Sequence, residues 1–302
     1  MFGKRKAPAT AHLPVIIVRQ SALDSEDVYE LPYAVVQYVN YVLQEAMFLR
    51  SEIPQEAMWA FHVDYYIAQV NNGGHSQYVG NSGWHDYQIA DIRAGLKAIG
   101  QEDAIELYED LCAFADSHPE QFQDGMDARG FGQFPEFFSK ADTLFYAGIN
   151  DRLMQGNRDF VASLDCIMPV ADDEIQGIME GLGARNPHYD QRKKEREDAA
   201  AESRRKDPIM QACVYLGMMA DEPMNVDRWL SGAPTEGPEG QKGTMFQVAL
   251  ADGGVTRAFL FPTFGVMLKP GTEDQGTPLP IDMIQEHVKS MTGDYLPREM
   301  WR

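Results

Sequence analysis

The first two thirds of the chain carry apolar residues at the three-to-four spacing that is typical of amphipathic helices. In LPYAVVQYVNYVLQEAMFLR, apolar side chains recur at Val35, Tyr38 and Val42. The stretches QEDAIELYEDLCAFADSHP and FPEFFSKADTLFYAGI continue the pattern. The spacing therefore predicts an N-terminal all-helical domain over residues 24–190, preceded by an N-terminal segment at residues 1–23.

A highly charged segment separates this domain from the rest of the chain. The stretch QRKKEREDAAAESRRKD, residues 191–207, contains no apolar residue larger than alanine, which suits either a charged linker or a solvated helix. Beyond it, two β-rich runs flank Asp252-Gly253-Gly254 and predict a hairpin. FGVMLKP reads as a third strand and PIDMIQEHVKSM as a closing helix. Residues 208–302 are thus predicted to form a smaller α+β domain, in a chain that is mainly α.

The negative charge of the chain is concentrated in the helical region. The formal net charge is −20. Residues 21–190 hold 29 Asp and Glu against 8 Lys and Arg, a net charge of −21, and the remaining residues have a net charge of +1. A nucleic-acid-binding surface requires the opposite sign, so we do not expect direct binding of DNA or RNA. Binding to an anionic membrane surface is not expected for the same reason.

The cysteine content and the hydropathy of the sequence indicate the cellular compartment. The three cysteines, Cys112, Cys166 and Cys213, are odd in number and widely spaced, which argues against a disulfide framework and suits a reducing cytoplasm. No stretch approaches the roughly eighteen apolar residues that span a bilayer, and the apolar run near the start is too short for a signal peptide. We therefore expect a cytoplasmic protein.

Candidate catalytic or metal-binding chemistry is limited to one group of residues, His62, Asp64, His75 and His85. His62 and Asp64 are two positions apart, and such residues point in different directions on a helix. The sequence contains no His-Glu-x-x-His motif, no Cys-x-x-Cys pair and no Gly-x-Ser-x-Gly motif. The sequence favours a non-catalytic protein without a metal or cofactor. The alternative is an enzyme, or a helical domain that binds a small ligand or a metal, with a pocket near these four residues.

The stretch QVNNGGHSQYVGNSG, residues 69–83, interrupts the helical pattern with four glycines and three asparagines. Together with the downstream GLKAIG, it resembles the signature of the bacterial DNA-mimic protein family of nineteen-kilodalton type. The similarity covers roughly residues 60–120 and departs from the family pattern at His75, where Phe is usual, and at Val79, where a second aromatic residue often stands. It is carried by Asn72, Gly73, Gly74, Gln77, Tyr78, Asn81, Ser82, Leu96, Ile99 and Gly100.

The resemblance implies an all-helical domain that acts as a dimeric acidic decoy and occupies the DNA-binding surface of a transcription factor. We accordingly expect the partner to present a basic protein surface, such as that of a DNA-binding regulator, and we expect a homodimer. The same helical domain is also compatible with a general scaffold used in other ways.

The motif itself is predicted to be mainly structural. Asn72 and Gly73 can end a helix in left-handed backbone geometry, which glycine adopts without steric cost. Gly74 then allows the chain to turn, and Asn81 and Ser82 can bind the free amides at the start of the next helix.

A binding role is predicted instead for one acidic helix face. Acids four apart on a helix are separated by about 6 Å along its axis, which is of the same order as the phosphate spacing along one DNA strand. Mutual repulsion of such acids does not stabilise a helix. The other interpretation is an acidic face that only promotes solubility. The face comprises Glu102, Asp103, Glu106, Glu109 and Asp110.

Overall fold

The computed structural model describes residues 11–119, 134–238 and 240–301. The chain divides into two compact units, and the division falls between Arg192 and Lys193. The first unit is helical, and the second combines helices with an antiparallel sheet. The predicted fold class, mainly α with a smaller α+β part at the C-terminal end, is confirmed.

Amphipathic helices form most of the first unit. Their buried side chains belong to two apolar clusters, one around residues 30–44 and the other around the aromatic side chains of residues 66–78, 108 and 138–145. A π-helical turn, Phe145–Ile149, joins α6 to α7. The helices are α1 (Gln20–Asp24), α2 (Glu30–Gln44), α3 (Gln55–Ser82), α4 (Asp86–Ile99), α5 (Glu102–Asp116), α6 (Pro135–Leu144), α7 (Asn150–Ala162), α8 (Ile175–Glu180) and α9 (Leu182–Arg185).

The helical unit also contains a short pair of strands that the sequence pattern does not predict. Strand β1 (Ile16–Arg19) lies parallel to β2 (Ile167–Val170), with Ile16 opposite Ile167. The β-branched residues of β1 are buried in the cluster around α2, which favours an extended backbone there. The two strands are about 150 positions apart in sequence, so no local periodicity could indicate that they pair.

The charged segment between the predicted domains is helical. Helix α10 (Tyr189–Lys206) contains the division between the two units, and none of its side chains is buried. Charged pairs such as Lys194 with Asp198 stand one turn apart on its surface. These pairs support a solvated helix only weakly, at a few tenths of a kcal/mol each.

Beyond α10, the described part of the second unit forms a five-stranded antiparallel sheet with two α-helices packed on it. The strands follow one another in the order β3-β4-β5-β6-β7, and Gly253 has a φ of 88° in the predicted hairpin turn between β4 and β5. The side chains of Leu216 and Ile284 lie against Gly265, so both helices pack on the same face of the sheet. The elements are α11 (Pro208–Met218), β3 (Val226–Glu236), β4 (Lys242–Leu250), β5 (Val255–Leu260), β6 (Phe264–Met267), β7 (Leu279–Pro280) and α12 (Ile281–Thr292).

Helix α10 should be the first site of limited trypsin digestion. It carries seven Lys and Arg residues and buries none of its side chains, so it can open locally without disturbing either core. We expect a brief digestion to give two stable fragments that divide between residues 192 and 206, as checked by mass spectrometry. First cleavage at Arg93 or Lys97 would contradict this prediction.

Candidate functional site

The motif at residues 69–83 forms a reversal within α3. The backbone leaves the helical region at Gly73 (φ −170°, ψ 29°) and at Gly74 (φ 76°, ψ −178°). In a straight helix, residues twelve positions apart are separated by about 18 Å. The Nδ2 atom of Asn81 nevertheless donates to Oε1 of Gln69 over 2.7 Å, and the ring centroids of Tyr66 and Tyr78 are 5.0 Å apart. The second part of α3 therefore folds back on the first.

Gly74 is the position in this reversal that requires glycine. The prediction of left-handed geometry at Asn72 and Gly73 is wrong, because the positive φ belongs to Gly74. A Cβ atom on Gly74 would lie 2.5 Å from Oδ2 of Asp142, so a side chain there would displace the Asp142 carboxylate. At Gly73, the atoms nearest to an added Cβ belong to the flexible side chain of Gln77.

The Asp142 carboxylate closes the reversal from α6. Its Oδ1 atom accepts hydrogen bonds from the backbone N–H of His75 over 2.8 Å and from Nδ1 of His75 over 2.7 Å. A proton on Nδ1 leaves Nε2 of the neutral ring to accept from the Tyr66 hydroxyl, which is 2.8 Å away. Partial burial alone would raise the pKa of Asp142, but the two hydrogen bonds from His75 outweigh it and lower that pKa.

Two further hydrogen bonds connect the reversal to the π-helical turn and to α7. The Val70 carbonyl, four residues before Gly74, accepts from the Tyr146 hydroxyl over 2.6 Å. Nδ2 of Asn71 donates to Oδ1 of Asn150 over 3.0 Å. Backbone groups that a helix break exposes are costly to leave unpaired, so these contacts stabilise the reversal.

An aromatic cluster surrounds His75 and explains the histidine at this position. The Tyr66 ring meets those of Tyr108 and Phe145 edge-on at 5.2 Å and 5.8 Å, and the His75 ring meets Phe145 at 5.6 Å. The hydroxyl groups of Tyr78 and Tyr108 are 2.8 Å apart. His75 is fully buried and packs as an aromatic side chain would, while its nitrogens bind polar partners that phenylalanine could not.

The other motif residues also make local contacts. Gln77 and Asn81 both donate to Gln69 across the reversal, and Asn72 is exposed. The Ser82 hydroxyl accepts from the N–H of Trp84 over 3.3 Å. The expectation that Asn81 and Ser82 cap the next helix is wrong, because α4 begins later, at Asp86, and Asn81 points to Gln69 instead.

The four residues of the alternative pocket do not converge. Nδ1 of His62 donates to Oδ2 of the buried Asp91 over 2.7 Å, and Arg50 binds the other oxygen of this carboxylate. The exposed His85 ring stacks on Tyr87, with ring centroids 5.4 Å apart. His75 belongs to the network of Asp142 and Tyr66, so it and His62 bind different carboxylates. Within the described ranges, no group of three or more His, Cys, Asp or Glu side chains could hold a metal ion.

Asp64 is the one member of this group with an unusual ionisation. Burial raises the pKa of its carboxyl to about 6. Its side chain forms no hydrogen bond or ion pair with another described residue, so nothing offsets the loss of hydration. A half-buried carboxyl of this kind is a candidate functional group, but it also occurs as a purely structural feature.

The acidic face predicted on α5 divides into paired and unpaired carboxylates. Glu109 is half-buried and accepts three hydrogen bonds from Arg93 of α4, two from Nε over 2.9 Å and 3.1 Å and one from Nη2 over 2.7 Å. Asp103 forms an ion pair with Arg152 of α7. The remaining three are exposed and form no ion pair within the part of the chain that the structure describes: Glu102, Glu106 and Asp110.

These features define an acidic helical domain whose glycine motif shapes the backbone. Residues 51–163 match the family model described as DMP19-like protein, which confirms the resemblance over this segment. The match covers α3 to α7 and ends before β2. No curated protein and no solved structure matches the chain. Among the described residues, no helix is both long and apolar enough to cross a membrane.

Replacing Gly74 should cost more stability than replacing another glycine with a positive φ. Gly74 has a φ of 76° and a ψ of −178°, a region that essentially only glycine populates. Gly100 has a φ of 78° and a ψ of 30°, in the left-handed helical region, and an added Cβ there meets nothing within 4 Å. Alanine at Gly100 costs about 1 kcal/mol because of the positive φ. We expect Gly74→Ala to exceed Gly100→Ala by at least about 1 kcal/mol in denaturant unfolding, because it strains the backbone further and also displaces the Asp142 carboxylate. Equal losses would show that this carboxylate does not hold the reversal.

Removing the charge of Asp64 should stabilise the protein at neutral pH. The folded-state pKa, about 6, lies above the ordinary value of 3.8, so the free energy of unfolding falls as pH rises between these values and stays lower above them. Asp64→Asn should therefore raise the free energy of unfolding at pH 7 by about 1–2 kcal/mol and flatten its dependence on pH between 4 and 6. Asp173→Asn, at an exposed position, serves as the control. Parallel pH curves for Asp64→Asn and the native protein would contradict the prediction.

Proposed function

We propose that the helical unit is a non-catalytic acidic binding domain that occupies the basic DNA-binding surface of a partner, such as a transcriptional regulator. The observation that carries this proposal is the row of unpaired carboxylates on α5. Glu102, Glu106 and Asp110 follow one another at intervals of four residues and all face solvent. They belong to a region whose formal net charge is −21.

The contrast between paired and unpaired carboxylates supports this proposal. Arginines of the same unit already neutralise Asp103 and Glu109, which therefore have little charge to offer to a partner. Glu106 and Asp110 stand beside other acids without compensation, an arrangement that costs a few tenths of a kcal/mol per pair. This repulsion does not stabilise the helix. Several carboxylates that face one basic surface, however, attract that surface together.

The charge density of α5 indicates that a second acidic element contributes. One charge per about 6 Å of helix axis is roughly half the density of a DNA strand, which carries one charge per about 3.4 Å. Asp116 is exposed and returns to the side of Glu102 after fourteen residues, or about four turns. Asp116 therefore extends the row of carboxylates along α5 but does not increase the number of charges per unit length. A surface that replaces DNA would therefore combine α5 with acids from neighbouring elements.

The alternative function, binding of a small ligand or catalysis, is favoured by one observation, the raised pKa of Asp64. The other members of the group are engaged elsewhere, since His62 binds Asp91 and His75 binds Asp142. The acidic binding function requires only the exposed face of α5, and we prefer it on that ground.

Two variants with the same change in net charge test the proposal. Glu106→Gln with Asp110→Asn removes two unpaired charges, and Asp103→Asn with Glu109→Gln removes two that are paired with arginines. Glu102 stays unchanged because an acid in the first turn stabilises a helix. The test is a pull-down from the native cell extract at low salt, in which the amount of captured partner is measured. We expect the first variant to reduce this amount at least tenfold and the second variant to reduce it by less than threefold.

The salt dependence and a DNA competitor complete the test. Capture by the native protein should fall steeply between low and physiological salt, because exposed charges are increasingly screened. Duplex DNA should release the captured protein if both compete for one basic surface. The proposal fails if both double variants capture the partner equally, or if DNA leaves the captured protein bound.

A further inference from the structure

The helical layer of the second unit exposes an unusual number of methionines. Met218 and Met219 at the end of α11 are 57% and 44% exposed, and Met283 and Met291 of α12 are 45% and 39% exposed. Other methionines of this unit, such as Met210 and Met267, are buried in its core. Exposed apolar side chains that are grouped on one face mark an interaction surface more often than single ones do.

The contacts between α11 and α12 bring these methionines together. Leu216 and Ile284 meet at Gly265, and the Tyr215 ring stacks on that of His287 with centroids 4.4 Å apart. Asp221, three residues beyond α11, accepts from Thr277, four residues before α12, so the end of α11 lies near the start of α12 and the two helices run antiparallel. Met218 and Met219 therefore lie beside the first turn of α12, where Met283 is found.

Met283, His287 and Met291 are spaced four residues apart and share one side of α12. On α11, Tyr215 and Met218 are three residues apart and share a side in the same way. The stacked rings of Tyr215 and His287 bridge the two helices between the methionines. We call this surface the methionine stripe, and it comprises Tyr215, Met218, Met219, Met283, His287 and Met291.

Acidic residues surround the methionine stripe. Helix α11 contains no charged residue, and α12 contains one Lys or Arg, Lys289, whose Nζ donates to the Tyr295 hydroxyl over 2.6 Å. The Oδ1 atom of Asp221 accepts from Thr277 on the segment that leads into α12. Four carboxylates next to the stripe are exposed and form no ion pair within the described residues: Asp221, Glu222, Asp282 and Glu286.

We propose that the methionine stripe is the docking surface for an amphipathic helix of a partner protein whose polar face is basic. Unbranched, polarisable methionine side chains adapt to the apolar face of such a helix. The four unpaired carboxylates provide the charge that complements lysines and arginines on either side of that face. Met283 and Met291 are about 12 Å apart along α12, which matches two to three turns of a partner helix. This surface belongs to the second unit and is independent of the function proposed for the first.

The test uses the full-length protein with ¹³C-labelled methionine methyl groups and an eighteen-residue amphipathic Leu/Lys peptide as the probe. We expect the methyl resonances of Met218, Met219, Met283 and Met291 to shift and saturate as the peptide is added. The resonances of buried methionines, such as Met58 and Met267, should not move. A peptide of the same composition with its amphipathic order scrambled should bind at least tenfold more weakly.

Variants test the methionine stripe and the carboxylates next to it separately. Met283→Gln with Met291→Gln should weaken peptide binding at least tenfold, and Asp282→Asn with Glu286→Gln at least threefold, with a shallower salt dependence. Leu230→Gln, at a position 44% exposed on β3, should change the affinity less than twofold.

Three results would overturn the proposal. The first is peptide binding that leaves the four exposed methyl resonances unmoved, because the peptide then binds the acidic helical unit instead. The second is unchanged affinity in Met283→Gln with Met291→Gln. The third is a shift of the same resonances with protein concentration in the absence of peptide, which would assign the stripe to a second copy of this chain.

Discussion

The contact between the Asp142 carboxylate and His75 is the interaction on which the helical unit depends. At Gly74, helix α3 reverses direction, and one carboxylate oxygen of Asp142 binds both the backbone and the ring of His75. The ring in turn binds Tyr66, and the adjoining hydroxyl pair of Tyr78 and Tyr108 ties α5 to the second part of α3. The position of α5, with its exposed acids, therefore follows from the way this reversal is closed.

The unit thus keeps its structural carboxylates apart from those available for binding. Asp91 and Asp142 are held by histidines and have little freedom to meet a ligand. Asp103 and Glu109 bind arginines of neighbouring helices and help to pack α5. The acids left over on α5 are exposed and uncompensated. We accordingly propose the surface of α5 for binding and assign the glycine motif to the fold.

The sequence predicted local features well and long-range pairings poorly. Apolar spacing indicated α2 and α5, and Asp252-Gly253-Gly254 indicated the hairpin, because each feature is determined by neighbouring residues. Asp142 is 67 residues away from His75, and no spacing rule connects an acid on one helix to a glycine turn on another. The arginine partners of Asp103 and Glu109 were missed for the same reason, and so was the pairing of β1 with β2. Only the folded chain shows which acids of a face remain free.

A double-mutant cycle between His75 and Asp142 tests most directly whether this contact holds the reversal. His75→Phe keeps the aromatic packing and removes the polar nitrogens, and Asp142→Asn removes the charge while preserving the shape. The free energy of unfolding would be measured by denaturant titration for the native protein, both single variants and the double variant. We expect a coupling energy of about 1–3 kcal/mol between the two positions, with the double variant less destabilised than the sum of the single variants. Additive losses would show that the two side chains act independently and would contradict the account.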